Sequence, residues 1–202
     1  MIKINAKIDT PFFEQLKTVT TIEGKKSMSM AINDALVAGK TALKRGITQN
    51  YNLKQKEVDK NSKVTKTSVS RLKDGKIYVA SRLLTVGTST HFSITPRQYT
   101  PQAGIKVNKR KAATATIKKG AKKKVKGAFI TNPAAVKGGN TMLWVRMGGK
   151  NRGIQPLKTT SIPQMAASKE VSKAVQDTMQ EKYSNRFEHY MSRKLDKVKG
   201  KQ

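Results

Sequence analysis

The sequence predicts an α+β fold with a mostly antiparallel β-sheet, an N-terminal helix, a long C-terminal helix and a basic β-hairpin arm. Three observations predict it. Apolar residues recur at helical spacing towards both ends, β-branched and alternating residues fill the middle, and lysines flank Gly120 in IKKGAKKKVKGAFI, residues 117–130. We expect a single domain over 1–202: a helical part at 1–60, a basic β-rich core and interface loop at 61–165, and a helix with a tail at 166–202.

The first predicted helix covers SMSMAINDALVAGKTALKRGITQNY, residues 27–51. Ser27 or Ser29 is the expected N-cap, and Gly46 is the expected end. YNLKQKEVDKNS, which follows, predicts a short polar helix or a turn. The apolar stripe of the helix consists of residues at helical spacing: Ile32, Leu36, Gly39, Leu43 and Ile47.

The middle of the chain predicts strands. KVTKTSVSRL and KIYVASRLLTV lie on either side of Asp74-Gly75, which is a hairpin signal. FSITPRQY contains Pro96, which limits this extended segment to a sheet edge or a strand end. Three further strands are predicted, in GIKVNKRKAATATIKKG, KKKVKGAFI and NTMLWVRMGG. Residues 148–165 predict an ordered loop with a functional or interface role.

The last predicted helix runs from about Ser168 to about Leu195. At ~1.5 Å per residue it would span roughly 40 Å. Such a helix either follows the core lengthwise or reaches a neighbouring subunit.

The charge is the strongest compositional signal. A net charge of +30 requires a negative partner or a neutralising assembly. From Gly75 to Lys169 there is no Asp or Glu, while 19 Lys and Arg are present. The chain has no cysteine, which excludes disulfides and thiolate metal sites. It has no apolar run of roughly 20 residues and no signal peptide, so we expect a soluble protein without a membrane partner.

Catalytic patterns are weak. His91 and His189 are far apart and are expected to be surface or packing residues. All the carboxylates lie in the flanks of the acid-free stretch, and GGKNRG at 148–153 lacks the context of a phosphate-binding loop. We therefore expect no enzyme activity, no cofactor, no metal and no small-molecule substrate.

The lysine cluster predicts a contact with DNA or with an acidic partner. If residues 122–130 form one extended strand, Lys122, Lys124 and Lys126 share a face with Ala128 and Ile130, and the lysines lie on a protruding arm. Such an arm binds phosphates without reading bases, because no aromatic platform accompanies it. A solubilising loop without a partner is the other interpretation. The candidate contact residues are Lys118, Lys119, Lys122, Lys123, Lys124 and Lys126.

Residues 126–165, KGAFITNPAAVKGGNTMLWVRMGGKNRGIQPLKTTSIPQM, resemble the C-terminal half of the prophage minor tail protein Z family, the tail completion proteins of long-tailed phages. LKRGITQNYNLKQKEV resembles an N-terminal element of the family. Where the family usually has Pro-Ile before a leucine, this chain has Gly153-Ile154-Gln155-Pro156-Leu157. The matching positions are Arg45, Ile47, Tyr51, Leu53, Lys54, Gly127, Ala128, Phe129, Ile130, Val145, Arg146, Gly148, Arg152, Leu157, Ser161, Ile162, Pro163 and Met165.

The resemblance implies a virion structural protein at the head-proximal end of the tail, assembled in the host cytoplasm. It implies a homohexameric ring, with the tail terminator, the tail tube and neck or connector proteins as partners, and a part in head–tail joining, DNA passage and DNA ejection. On this interpretation Arg146, Lys150 and Arg152 are interface or lumen residues, and Phe129, Trp144 and Pro163 are structural anchors. The alternative is a free-standing, sequence-nonspecific nucleic-acid-binding protein of ribosomal or nucleoid type, which the net charge also favours.

Overall fold

The structure is a computed structural model that describes residues 2–4, 22–87, 92–95, 113–125, 127–130, 143–146 and 153–199. The chain divides into two compact units. The first comprises Met1–Ile47, Gln55–Ser81 and Ile162–Gln202, and the second comprises Thr48–Lys54 and Arg82–Ser161. The expected single domain over 1–202, with its subdivisions, stays a prediction.

The first unit contains the helices and one sheet. In this sheet β3 is central, and it pairs antiparallel with β1 and with β2. The last residues of α1 belong to the second unit. The elements are β1 Ile2–Ile4, α1 Ile22–Asn50, α2 Gln55–Lys60, β2 Ser62–Thr65, β3 Lys76–Val79, α3 Ile162–Ala166 and α4 Lys169–Lys199.

The second unit contains two small antiparallel sheets. One has the strand order β4-β5-β6 and the other β7-β8-β9. The α+β class and the antiparallel pairing are therefore confirmed, although the strands are distributed over several small sheets. The strands are β4 Ser93–Thr95, β5 Ala113–Thr116, β6 Lys122–Val125, β7 Ala128–Ile130, β8 Leu143–Arg146 and β9 Ile154–Pro156.

Helix α1 has the predicted apolar stripe, but it begins and ends at residues other than the predicted ones. Its stripe is buried throughout, from Ile32 to Ile47. The helix begins at Ile22, so Ser27 and Ser29 are buried inside it and the expected N-caps are wrong. Gly46 lies inside the helix and does not end it. Its role is close packing, since a Cβ there would lie 3.3 Å from Val171 Cγ1.

Helix α4 confirms the long C-terminal helix and runs antiparallel along α1. Its buried residues follow one another at a spacing of four, which is one face of a helix. Its C-terminal half is joined to α1 by Arg186, Tyr190 and Lys194, which bind Asp34 and Glu23. With 31 residues it is roughly 46 Å long. The helix therefore follows the core of its own unit. The buried residues are Val171, Val175, Met179 and Tyr183.

Strands β2 and β3 pair as predicted, but the prediction of a tight turn at Asp74-Gly75 is wrong. Residues 66–75 connect the strands and include a short 3₁₀-helix at Leu72–Asp74. Gly75 has an ordinary extended φ of −65°. Its role is close packing, since a Cβ there would lie 2.5 Å from Thr67 Cγ2 and 2.9 Å from Leu36 Cδ1.

Two further boundaries differ from the prediction. KIYVASRLLTV is not one strand, because β3 ends at Val79. In the second unit, the Val86 N–H donates to the Leu157 carbonyl at 3.0 Å, and the Val86 carbonyl accepts from the Leu143 N–H at 3.1 Å. The expected loop at 148–165 contains β9 and α3. Helix α3 begins where the Ile162 N–H donates to Ser81 Oγ at 3.0 Å, and Pro163 fits the first turn because no N–H is needed there.

Candidate functional site

Strands β5 and β6 form the predicted basic hairpin around Gly120. Its turn has a hydrogen bond from the Ala121 N–H to the Lys118 carbonyl at 3.2 Å, and Gly120 has a φ of +78°, which favours glycine. Every lysine whose side chain is described in the hairpin is exposed: Lys118, Lys119, Lys122, Lys123 and Lys124.

The register of the hairpin separates its lysines onto two faces. Lys124 is opposite Thr114, Lys123 is opposite Ala115, and Lys122 is opposite Thr116. Residues directly opposite each other share a face, and successive residues alternate. One face therefore presents two Thr–Lys pairs. On the other face, Lys123 lies beside Ala115, which is buried.

The predicted continuous strand over 122–130 is wrong. Gly127 has a φ of +70°, and this left-handed residue separates β6 from β7, which belongs to another sheet. The proposed common face of the lysines with Ala128 and Ile130 does not follow once the strand is interrupted. Lys126 lies outside the described residues.

The tip of the hairpin is bonded to the segment that follows α1. The Asn52 N–H donates to the Ile117 carbonyl at 2.9 Å, and the Lys119 N–H donates to the Asn50 carbonyl at 3.0 Å. Between these bonds Tyr51 bridges Lys118, whose Nζ lies 5.9 Å from the centre of the Tyr51 ring. Asn50 is the last residue of α1, where carbonyls lack helical partners. The arm is therefore held at its tip.

The residues that hold and complete the hairpin were not predicted as functional residues from the sequence. Tyr51 and Leu53 matched the N-terminal family element without a role, and both are buried at 7% exposure. An aromatic residue directly after a helix end was the available signal. The strand pattern ATAT contains Thr114 and Thr116 but does not predict that they share a face with the lysines, because this follows only from the register of the two strands.

The second unit is the acid-free part of the chain. Its segment Thr48–Lys54 has one basic residue, Lys54, and its segment Arg82–Ser161 has 17 Lys and Arg, while neither contains Asp or Glu. The first unit has the other 24 of the 42 basic residues and all 12 acidic residues. No cation of the second unit can pair with a carboxylate side chain of the same unit.

Carboxylates of the first unit pair with lysines. Lys40 Nζ lies 2.9 Å from Asp59 Oδ1, and this hydrogen bond is the main reason that the pKa of Asp59 is lowered. Glu23 binds Lys194 and Lys26, which lower its pKa in that order of importance. The positive surface of this unit is therefore partly compensated, unlike that of the second unit.

Other candidate residues are separated or outside the described part. Trp144 is at the centre of β8, opposite Phe129 of β7 and Pro156 of β9. It is half-buried, and its Nε1 is buried without a hydrogen-bond partner among the described residues. Pro163 is buried in the first unit.

Of the predicted interface or lumen cations, Arg146 is the last residue of β8. Lys150 and Arg152 lie outside the described residues, as does His91. His189 is exposed on α4, as expected for a surface residue, with its ring centre 5.7 Å from that of Tyr190.

Within the described ranges, no three residues of the types His, Cys, Asp and Glu are grouped as a metal site. None of the described helices has both the length and the apolar character needed to cross a bilayer.

The class that these features define is an α+β protein with a basic, acid-free second unit. The family model for prophage minor tail protein Z (GPZ) matches residues 12–200, so the chain belongs to this family. It is a structural protein of the phage tail, located in the virion, and it interacts with other tail or virion proteins. Among curated proteins and among solved structures, no match is found.

The segments that carried the resemblance occupy defined positions. Ala128, Phe129 and Ile130 form β7 directly after Gly127, and Val145 and Arg146 end β8. Gln155 and Pro156, at the departure from the family pattern, form β9 with Ile154 and pair with β8. The departure is therefore accommodated in a regular strand.

Proposed function

We propose that the protein completes the head-proximal end of the phage tail and makes it competent for head–tail joining and DNA passage, without catalysis. The observation that carries this proposal is the family match over 12–200, nearly the whole chain. A protein at the junction of a tail and a DNA-filled head works beside a polyanion, and the unpaired positive charge of the second unit suits that position.

The assembly that we propose is a homohexameric ring in contact with the tail terminator, the tail tube and neck or connector proteins. In it, Arg146, Lys150 and Arg152 are interface or lumen cations. Phe129, Trp144 and Pro163 are core anchors; the burial of Pro163 and the half-burial of Trp144 support this role for these two. The hairpin lysines contact DNA or an acidic neighbouring protein.

Tail completion can be tested with tails assembled in cells that lack this protein. Adding the purified protein should make such tails able to join DNA-filled heads, measured as infectious particles, and electron microscopy should show rings at one tail end.

A second candidate function is free nucleic-acid binding of ribosomal or nucleoid type, which the acid-free unit favours. It predicts a monomer that binds any RNA or DNA with a steep dependence on salt and leaves tails unable to join heads. That result would overturn the proposed tail completion.

A further inference from the structure

We propose that the face of the β5–β6 hairpin formed by Thr114, Thr116, Lys122 and Lys124 binds the sugar–phosphate backbone of DNA at successive phosphates. This inference rests on the proposed function for the identity of the nucleic acid, which would be the phage genome. The binding itself is a property of the hairpin and can be measured on the purified protein.

The geometry of this face provides two equivalent phosphate sites. Each Thr–Lys pair combines a hydroxyl donor with an ammonium group that has three donors. The pairs are two residues apart along the strands, or roughly 6.8 Å. This separation is comparable to that between neighbouring phosphates along one nucleic-acid strand, so one backbone can occupy both pairs.

The hairpin is preorganised for this contact. Its two strands are joined in register from Ala113–Val125 to Thr116–Lys122, and its tip is bonded to Asn50 and Asn52. A preformed surface loses less conformational freedom on binding than a mobile basic tail does. The lysine positions are thus set before a ligand arrives, although the ammonium groups retain side-chain rotation.

The composition of the face favours phosphates over an acidic protein surface. The hairpin contains lysine but no arginine, and lysine is depleted from protein–protein interfaces whereas arginine is enriched there. A lysine ammonium is a compact point charge that binds phosphates without fixed orientation. Among the described residues, the large exposed apolar side chains lie outside 113–125, so the hairpin lacks the apolar centre of a stable protein interface.

The same face is unsuited to reading bases. Its residues are Thr and Lys, and stacking on bases requires aromatic or guanidinium planes. The nearby Tyr51 ring is buried and faces Lys118. We therefore expect binding that is independent of sequence and strongly dependent on salt.

The test is a salt titration of DNA binding by fluorescence anisotropy, with one labelled duplex and with a second duplex of unrelated sequence. The face variant is Lys122→Gln with Lys124→Gln. The matched control is Lys119→Gln with Lys123→Gln, which removes the same charge from the turn and from the other face. At ~0.9 per phosphate contact, the face variant should reduce the slope of log K against log salt by roughly two units, and the control by less than one.

A second variant tests the hydroxyl groups without changing charge. Thr114→Val with Thr116→Val keeps the shape and the strand preference of both residues. It should lower affinity roughly tenfold while leaving the salt slope unchanged. Circular dichroism and thermal unfolding of each variant confirm that the fold is retained before binding is compared.

Two outcomes would overturn the inference. Equal reductions of the salt slope in the face variant and in its control would show that the DNA is bound by diffuse positive charge of the hairpin and not by a defined face. Unchanged binding of the face variant to both duplexes would also overturn it. If the face variant at the same time loses binding to labelled polyglutamate, the face is assigned to an acidic protein. Failure here is distinguishable from failure of tail completion, because a face variant with unchanged DNA binding can still be scored for head–tail joining.

Discussion

Gly39 of α1 lies directly against Met179 of α4. A Cβ built on Gly39 would be 2.5 Å from Met179 Cγ, closer than real Cβ atoms come to another side chain, and 3.0 Å from Ile77 Cδ1, which is a tight contact. Met179 is 1% exposed and Ile77 is 5% exposed, so neither has free space to move into. The two long helices and β3 therefore meet at a position where only a hydrogen atom fits.

Gly39→Ala should destabilise the protein although alanine is the better helix former. The Met179 side chain must move to admit the new methyl group, and this overpacking cost, within a range of about 1–3 kcal/mol, should exceed the helix-propensity gain of about 1 kcal/mol. Gly46→Ala is the matched control: it makes the same change in the same helix, and its Cβ would meet Val171 at 3.3 Å. Urea unfolding should rank Gly39→Ala below Gly46→Ala in stability, and the reverse order would contradict the packing.

Asn33 holds the connection between β2 and β3 to α1. Its Oδ1 accepts from the Thr67 N–H at 2.8 Å, and its Nδ2 donates to the Thr67 carbonyl at 3.2 Å. Asn33→Ala leaves both backbone groups without this partner, which should cost about 1–3 kcal/mol. Urea unfolding measures the loss.

Asn185→Ala is the control for this prediction, because Asn185 is exposed on α4 and its side chain has no hydrogen bond in the described part of the chain. It should change the free energy of unfolding by less than about 0.5 kcal/mol. Equal effects of the two substitutions would show that the bonds to Thr67 do not stabilise the fold.

Local patterns predicted the elements of this protein better than their ends. The helical stripe from Ile32 to Ile47 and the β-branched strands are repeated signals along the chain, so the α+β class could be predicted. The roles of Gly46 and Gly75 could not be predicted in this way. The sequence indicated a helix end at Gly46 and a turn at Gly75, whereas each glycine packs closely against another residue, Val171 for Gly46 and Thr67 for Gly75.

The candidate site was predictable as a cluster but not as a surface. Six lysines near Gly120 are visible in the sequence, whereas the face that each one occupies depends on the register of β5 with β6. The interruption at Gly127 depends on its positive φ. Tyr51 is 67 residues before Lys118, and no periodicity of the sequence relates the two.

Gly127 is required for its backbone conformation rather than for space. Its φ is +70°, and among the described residues, apart from Gly127 and its two chain neighbours, no heavy atom lies within 4 Å of an added Cβ. Gly127→Ala should therefore destabilise the protein by about 1–2 kcal/mol through backbone strain alone. Gly153→Ala, with the same open surroundings and no positive φ, should be neutral or slightly stabilising in thermal unfolding. A neutral Gly127→Ala would contradict the left-handed conformation between β6 and β7.

Tyr190 and Asp34 make the stability of the first unit sensitive to alkaline pH. The hydroxyl of Tyr190 donates to Asp34 Oδ2 at 2.8 Å, and this bond is the main cause of the raised pKa of Tyr190. A raised pKa means that the folded state favours the protonated phenol. The contribution is fully present below the unfolded value of about 10 and is lost as the pH rises through the folded pKa.

The stability advantage of the unsubstituted protein over Tyr190→Phe should therefore be constant up to about pH 10 and decline above it. Urea unfolding from pH 7 to pH 11.5 measures this difference, and deprotonation of lysines affects both proteins alike. In an Asp34→Asn background the acceptor charge is absent, so the same comparison should lose most of its pH dependence. An equal decline in both backgrounds would show that the carboxylate of Asp34 is not responsible for the alkaline loss.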